Sequence, residues 1–220
     1  MIGVIFDLDG VLVDTAEYHY RAWQALADRI GVPFDRRANE ALRGVDREHS
    51  LLLLLGAHAD RFSEEEKAAF RASKNAAYVR AIETITPADL LPGARELLRA
   101  LRAARIPAAV ASSSKNARRV VERLEIGDLL DGLVDGSRVD KAKPDPELFL
   151  IAAARLGVMP AHCVAVEDAE AGVRAALAGG MRAIGIGDPA RVGAAHRVCP
   201  SVAAITVEMI RELMAAPVAA

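Results

Sequence analysis

One short apolar segment, residues 2–6, opens the chain and runs into Asp7-Leu8-Asp9-Gly10, yet no second strand-like segment follows until after residue 105. Between them the pattern is helical. His19, Ala22, Trp23, Leu26 and Ile30 recur at helical spacing until Gly31 and Pro33 stop the run. Further helix is predicted over 36–42 and 48–55. Ser63 with Glu66 three residues on reads as a capping box, opening a helix whose apolar stripe is Phe70, Ala77, Tyr78, Ala81, Ile82 and Ile85. After Thr86-Pro87 and Leu91-Pro92-Gly93 the texture changes. Helices over 94–104, 115–124, 146–156, 170–178 and 205–214 alternate with strands over 108–111, 133–134, 163–166 and 182–186. Strands that alternate with helices build a parallel sheet covered on both faces. The expectation is an α/β protein: a Rossmann-like parallel-sheet core from residues 1–14 and 88–220, with residues 15–87 inserted as a helical cap domain.

Composition narrows the classes of function. The net charge is -2, so the basic excess expected of a nucleic-acid binder is missing. The longest apolar stretch, near 51–55, is far short of the ~20 residues that span a bilayer, and no basic n-region precedes a long apolar run at the N-terminus. Neither a membrane nor a secretory route is expected. Cys163 and Cys199 fall in no metal-binding spacing and read as reduced thiols, which suits the cytoplasm.

Four polar clusters sit past predicted strands, where the ligand crevice of an open parallel sheet lies. Asp7 and Asp9 could share a metal, divide into nucleophile and acid/base, or simply end a strand. Ser112-Ser113-Ser114-Lys115-Asn116 precedes a helix, a place that suits phosphate binding and equally suits ordinary capping. Lys143 is kept out of the following helix by Pro144, which lets it point into a site, although alone it reads as a solvated lysine. Glu167-Asp168 places two acids at the end of a buried strand, which is costly without a cation nearby. Hard oxygen ligands point to Mg²⁺ rather than zinc.

Taken together and in this order, the clusters resemble the haloacid dehalogenase superfamily over essentially the whole chain. The resemblance implies that Asp7 is a nucleophile forming an aspartyl phosphate and Asp9 the general acid/base. It implies that Ser112 and Lys143 hold the phosphoryl group. Mg²⁺ is expected on Asp7, the Asp9 carbonyl and Asp168, with Glu167 in support. The presence of Asp9 argues against halide removal, since that branch lacks the second acid. The runs FDLDGVLVDTAEYHYRAW, LRGVDREHS, KNAAYV, TPADLLPG, ASSSKN, KPDPELF and EDAEAG are similar to the superfamily's sugar phosphomutases. That implies interconversion of β-glucose 1-phosphate and glucose 6-phosphate through a β-glucose 1,6-bisphosphate. The alternative is a Mg²⁺-dependent sugar-phosphate phosphatase, and a non-catalytic module is disfavoured because every expected polar position is filled.

A mutase holds two phosphates at once, so a distal cationic site is needed. The resemblance offers Gly44, Arg47, Lys74, Ser114, Lys115 and Asn116 for it, with Thr15 and Trp23 as hinge and substrate-shell residues and His19 supporting Asp9. Lys74 is notable because it interrupts an apolar stripe, four residues from both Phe70 and Tyr78. Asp46 stands beside Arg47 where a small polar residue would be more usual. A phosphorylated sugar is the expected partner and a monomer the expected state.

Overall fold

The structure is a computed structural model and describes residues 1–42 and 45–216. Its centre is a parallel sheet of six strands: β1 Gly3–Phe6, β2 Ala108–Ser112, β3 Gly132–Asp135, β4 Cys163–Glu167, β5 Arg182–Ile186 and β6 Arg197–Cys199. They run in the order β3-β2-β1-β4-β5-β6, so β1 lies inside the sheet and the order reverses between β1 and β4. Such a reversal opens a crevice at the strands' carboxyl ends. β1, β2, β4 and β5 are buried along their whole length, as a sheet covered on both faces requires.

Alternation along the strands supplies two cores. Val4, Phe6, Val110, Val164 and Val166 share one face with the apolar sides of α5 Ala94–Ala103, α6 Ala117–Arg123 and α10 Val207–Ala215. Ile5, Ala109, Ala111, Ala165 and Ala183 form the other, against α7 Glu147–Leu156 and α8 Glu170–Ala178. Alanine on that face brings the helices close. A Cβ on Gly172 of α8 would stand 1.8 Å from the Glu167 carboxylate, so the helix passes directly over the end of β4.

Between β1 and α5 come α1 Ala16–Ile30, α2 Arg36–Glu40, α3 Arg47–Leu55 and α4 Glu64–Ile82. The expected capping box at Ser63 and Glu66 opens α4. Trp23, Leu26, Ala27, Leu51, Leu54 and Leu55 give this helical segment a core of its own, with Phe34, Phe62 and Phe70 packed on it. Tyr78, Ile82 and Ile85 instead join the core under the sheet and anchor α4 there. The segment leaves and returns at one place. Val13 forms an isolated bridge with Leu90, and the Leu91 amide donates to the Leu12 carbonyl at 2.9 Å.

Two elements escape the sequence pattern. β6 has three residues at the sheet's edge with Arg197 exposed, too short and too polar to alternate visibly. α9 Pro189–Val192 is a single turn capped by Asp188. Several helices are also shorter than expected, two of them by more than one residue. The predicted helix over 36–42 ends at Glu40, and that over 115–124 begins at Ala117 because serine hydroxyls hold the preceding loop. Among the described residues no helix is long and apolar enough to cross a membrane.

Candidate active site

Asp7 follows β1 directly, Ser112 ends β2 and Glu167 ends β4, so three sheet neighbours deliver polar side chains to one edge. Lys143 reaches them from the loop before α7. The Glu147 carboxylate holds that loop by accepting from the Asp140 and Lys141 amides at 3.1 and 2.8 Å. Lys143 Nζ donates to Asp7 Oδ1 at 2.6 Å and to Glu167 Oε1. Burial opposes its charge, but Asp7 and Glu167 outweigh it and lift the ammonium above its ordinary range. The other Glu167 oxygen accepts from the Asp168 and Ala169 amides at 3.0 and 3.1 Å. Glu167 is therefore turned to Lys143 and the backbone.

Asp9 leans over this group. Its amide donates to Asp7 Oδ2 at 2.9 Å, and its carboxylate accepts from the Thr15 hydroxyl. Enclosure, then Asp7, raise the Asp9 carboxyl to about 7, Thr15 opposing and Asp168 adding. A carboxyl near neutrality can both give and take a proton. Gly10 has φ +82°, and a Cβ there would meet Asp168 Oδ2 at 2.3 Å. Only glycine lets the Asp168 carboxylate lie so close to the Asp7–Asp9 turn.

Four acids stand around one ammonium here. Burial, with Asp7 and Asp168 adding and Lys143 opposing, raises Glu167 to about 8 as well. That surplus of negative charge, borne on hard oxygens, fits a small divalent cation. Among the described residues no group of three His, Cys, Asp or Glu side chains is placed to hold a metal. The expected set needs only two side chains, Asp7 and Asp168, with a backbone carbonyl as the third donor.

Above the acids opens a cavity of about 380 Å³, walled by the sheet's edge on one side and the helical segment on the other. Of the expected site residues, Asp7, Asp9, Thr15, His19, Trp23, Arg47, Lys74, Ser114, Lys115, Asn116 and Asp168 line it. Ser112, Lys143 and Glu167 are buried beneath its floor. Gly44 lies outside the described residues.

The far wall is basic. Lys74, 3% exposed, points inward, and its Nζ lies 2.9 Å from His19 Nδ1 and over the rings of Trp23 and Tyr78. Burial, then Arg47, lower Lys74 to about 7, while Asp9 pulls the other way. Burial, Lys74 and Arg47 together hold His19 well below the ordinary histidine range. The imidazole is thus neutral, packed 4.1 Å from Tyr78 and occupied by Lys74. Asp9, which His19 was expected to support, accepts from Thr15. Arg47 opens α3, half-buried, and its neighbour Asp46 is employed as the cap of that helix, accepting from the Glu48 and His49 amides. The carboxylate that stands where a small polar residue would be more usual is engaged there.

The loop after β2 meets α4 across the cavity. Ser112 Oγ accepts from the Ser114 amide and Ser114 Oγ from the Asn116 amide, at 3.1 and 3.2 Å. Asn116 Nδ2 then donates to Asn75 Oδ1 at 2.9 Å. Asn75, Arg71 and Tyr78 all line the cavity, and the sequence reading singled out none of them as site residues. Their signal was the offset from Lys74 (i-3, i+1, i+4), which puts all four on one side of α4. Of the seven aromatics in the helical segment, Trp23 and Tyr78 alone are among the residues that line the cavity.

Burying Lys74 costs stability, which gives a first prediction. Its pKa falls from 10.5 to about 7, so between those values the folded chain binds fewer protons than the unfolded one. Stability from this group rises with pH across that window, and the cost is full below about pH 7. Lys74→Met should therefore raise the melting temperature near pH 6, by about 2–4 °C per kcal/mol recovered, with ~1–4 kcal/mol available. The gain should shrink as pH rises toward 9. A melting temperature unchanged or lowered at every pH would contradict it.

Comparisons with known proteins agree with this geometry. A family model of haloacid dehalogenase-like hydrolases matches residues 2–180. The chain is 44% identical to the β-phosphoglucomutase of Bacillus subtilis, over 96% of its own length and 95% of the relative's. It is 32% identical to a phosphorylated carbohydrates phosphatase of Thermotoga maritima, over 84% of each. Its fold superposes on the crystal structure of β-phosphoglucomutase from Clostridium difficile with TM-score 0.94 and 40% identity, covering 97% of both chains.

Proposed function

The chain belongs to the haloacid dehalogenase-like hydrolase family, and from that premise we propose that it interconverts β-glucose 1-phosphate and glucose 6-phosphate. The observation that carries this reading is the opposed charge of the cavity's two ends. Asp7, Asp9 and Asp168 line one end, while Arg47, Arg71, Lys74 and Lys115 are among the residues that line the rest, where the two acids are Asp46, engaged as the cap of α3, and Glu48. A phosphatase needs a place for the one phosphate it removes. A mutase acting through a bisphosphate needs a second, and the cationic side chains on the far wall support that reading.

The reaction follows from the residues. Phosphorylated Asp7 gives its phosphoryl group to a sugar hydroxyl: the Asp7 oxygen–phosphorus bond breaks, the sugar oxygen–phosphorus bond forms, and Asp9 takes the hydroxyl proton. The bisphosphate turns end for end. Its other phosphate returns to Asp7, and Asp9 gives the proton back to the leaving sugar oxygen. Lys143 stays protonated beside Asp7, offsetting the phosphoryl oxygens' charge throughout. Ser112 lies at the end of the strand beside β1, placed to steady the same group. Thr15 fixes the direction of the Asp9 carboxylate. The side chains of Asp7 and Asp168 with the Asp9 carbonyl would hold Mg²⁺. When bound, that ion neutralises charge on the transferring group and aligns it for in-line displacement. Helices α1–α4 act as a cap whose closure keeps water from the aspartyl phosphate.

The test is a coupled assay with β-glucose 1-phosphate, Mg²⁺ and a trace of the bisphosphate. Glucose 6-phosphate should appear without stoichiometric loss of phosphate. Release of inorganic phosphate in its place would turn the assignment to the sugar-phosphate phosphatase.

A further inference from the structure

α4 shows the cavity a row of four side chains, Arg71, Lys74, Asn75 and Tyr78, at the i, i+3, i+4, i+7 spacing of one helix face. Lys74 meets His19 and Asn75 meets Asn116, while Tyr78 packs its ring on His19 and keeps a buried hydroxyl without a hydrogen-bond partner among the described residues. Arg71 makes no hydrogen bond or ion pair with any described residue. Its own helix offers it none: the residues three and four places away are Ala68, Lys74, Lys67 and Asn75. Two of those four are cations, and Lys67 is spent on Glu64. An acid at such a position would stabilise an arginine on a helix surface. This one is half-buried and lines a cavity, with Lys67 and Lys74 as neighbours on its own helix.

Such an arrangement is unfavourable for the free protein and favourable once an anion arrives. Arg47, across the cavity at the start of α3, is in the same condition, half-buried and without a hydrogen bond among the described residues. Two unoccupied guanidinium forks on separate helices match a phosphate dianion, whose three terminal oxygens accept a bidentate pair from each side. Lys74 between them is a weaker holder of charge, because burial has brought it close to neutrality, whereas a guanidinium remains protonated.

Resting on the mutase reading above, we propose that Arg71 is a specificity-determining residue of the cap. It closes on the phosphate that is not being transferred and, with Arg47, makes the site select phosphorylated over neutral sugars. The phosphate in that place belongs to glucose 1-phosphate in one direction and to glucose 6-phosphate in the other, so both substrates feel Arg71 alike.

The experiment compares the full chain with Arg71→Ala and Arg71→Lys in the primed mutase assay, run in both directions. Alanine preserves the helix, so folding should be retained, and the melting temperature checks it. Arg71→Ala is expected to raise KM about ten-fold or more for β-glucose 1-phosphate and for glucose 6-phosphate by a similar factor. kcat should change less than about two-fold, since contacts kept in ground and transition states alike act on KM. Arg71→Lys should recover part of the loss. Unchanged KM in Arg71→Ala, a loss confined to kcat, or a lysine variant no better than alanine would overturn the assignment of Arg71. Failure of the mutase reading looks different, because the unaltered chain itself would then release inorganic phosphate.

Discussion

Asp7→Asn is expected to abolish turnover, lowering kcat by at least ~10⁴-fold, the scale on which nucleophile removal acts in covalent catalysis. The amide cannot form the acyl phosphate, yet it fills the same space and leaves Lys143 its contact with Glu167. The fold should therefore survive while the chemistry stops. Incubation with Mg²⁺ and acetyl phosphate separates this from a loss of binding. Mass spectrometry should find one phosphate, labile to base and to hydroxylamine, on the unaltered chain, mapping to Asp7, and none on the variant. A variant that keeps its activity, or one that still takes the label, would remove Asp7 from the nucleophile's role.

Lys143→Ala should cost both catalysis and stability. Its ammonium is buried between Asp7 and Glu167, and removing it leaves two neighbouring carboxylates with backbone amides as hydrogen-bond partners but no countercharge between them. Breaking a buried ion pair from one side costs about 3–5 kcal/mol. kcat should fall by about 10²–10³-fold, as when a charge-stabilising donor is lost. The stability loss carries a pH signature. The orphaned carboxylates hold protons more tightly in the folded chain than in the unfolded one, so the folded variant binds the larger number. Its stability therefore falls as pH rises through and above the ordinary carboxylate range. The melting-temperature deficit against the unaltered chain should be small near about pH 5 and larger near about pH 8. A deficit independent of pH would mean that lost packing, for instance the contact with the Phe149 ring, outweighs charge.

The catalytic floor was legible in the sequence because three of its side chains lie at strand ends. Asp7, Ser112 and Glu167 each close an apolar run of four or five residues, and neighbouring strands must bring such ends together. The order of strands and helices was readable for the same reason. What the sequence concealed are the pairings inside the cavity. Thr15 with Asp9, Lys74 with His19 and Asn75 with Asn116 depend on how the helical segment rests on the sheet. No period in the sequence records that. Lys74 was partly readable, since an ammonium amid an apolar stripe must either snorkel or face a cavity. Arg71 was not, because an arginine one helical turn away resembles any solvated residue until its lack of an acid is seen in three dimensions. β6 was invisible because its three residues are shaped by the edge of the sheet more than by their own pattern.

The bridge between Val13 and Leu90 bears on how chains of this kind diversify. A long excursion normally carries a loop-closure cost that grows with the logarithm of its length. Here the two ends are already side by side, and the excursion has its own apolar core around Trp23 and Leu51. Exchanging that excursion for another of different length changes the closure entropy only slightly and leaves the sheet order untouched. An exchange between Val13 and Leu90 would alter the side of the cavity that Arg47, Arg71 and Lys74 line, while Asp7, Ser112, Lys143 and Asp168 keep their places on the sheet.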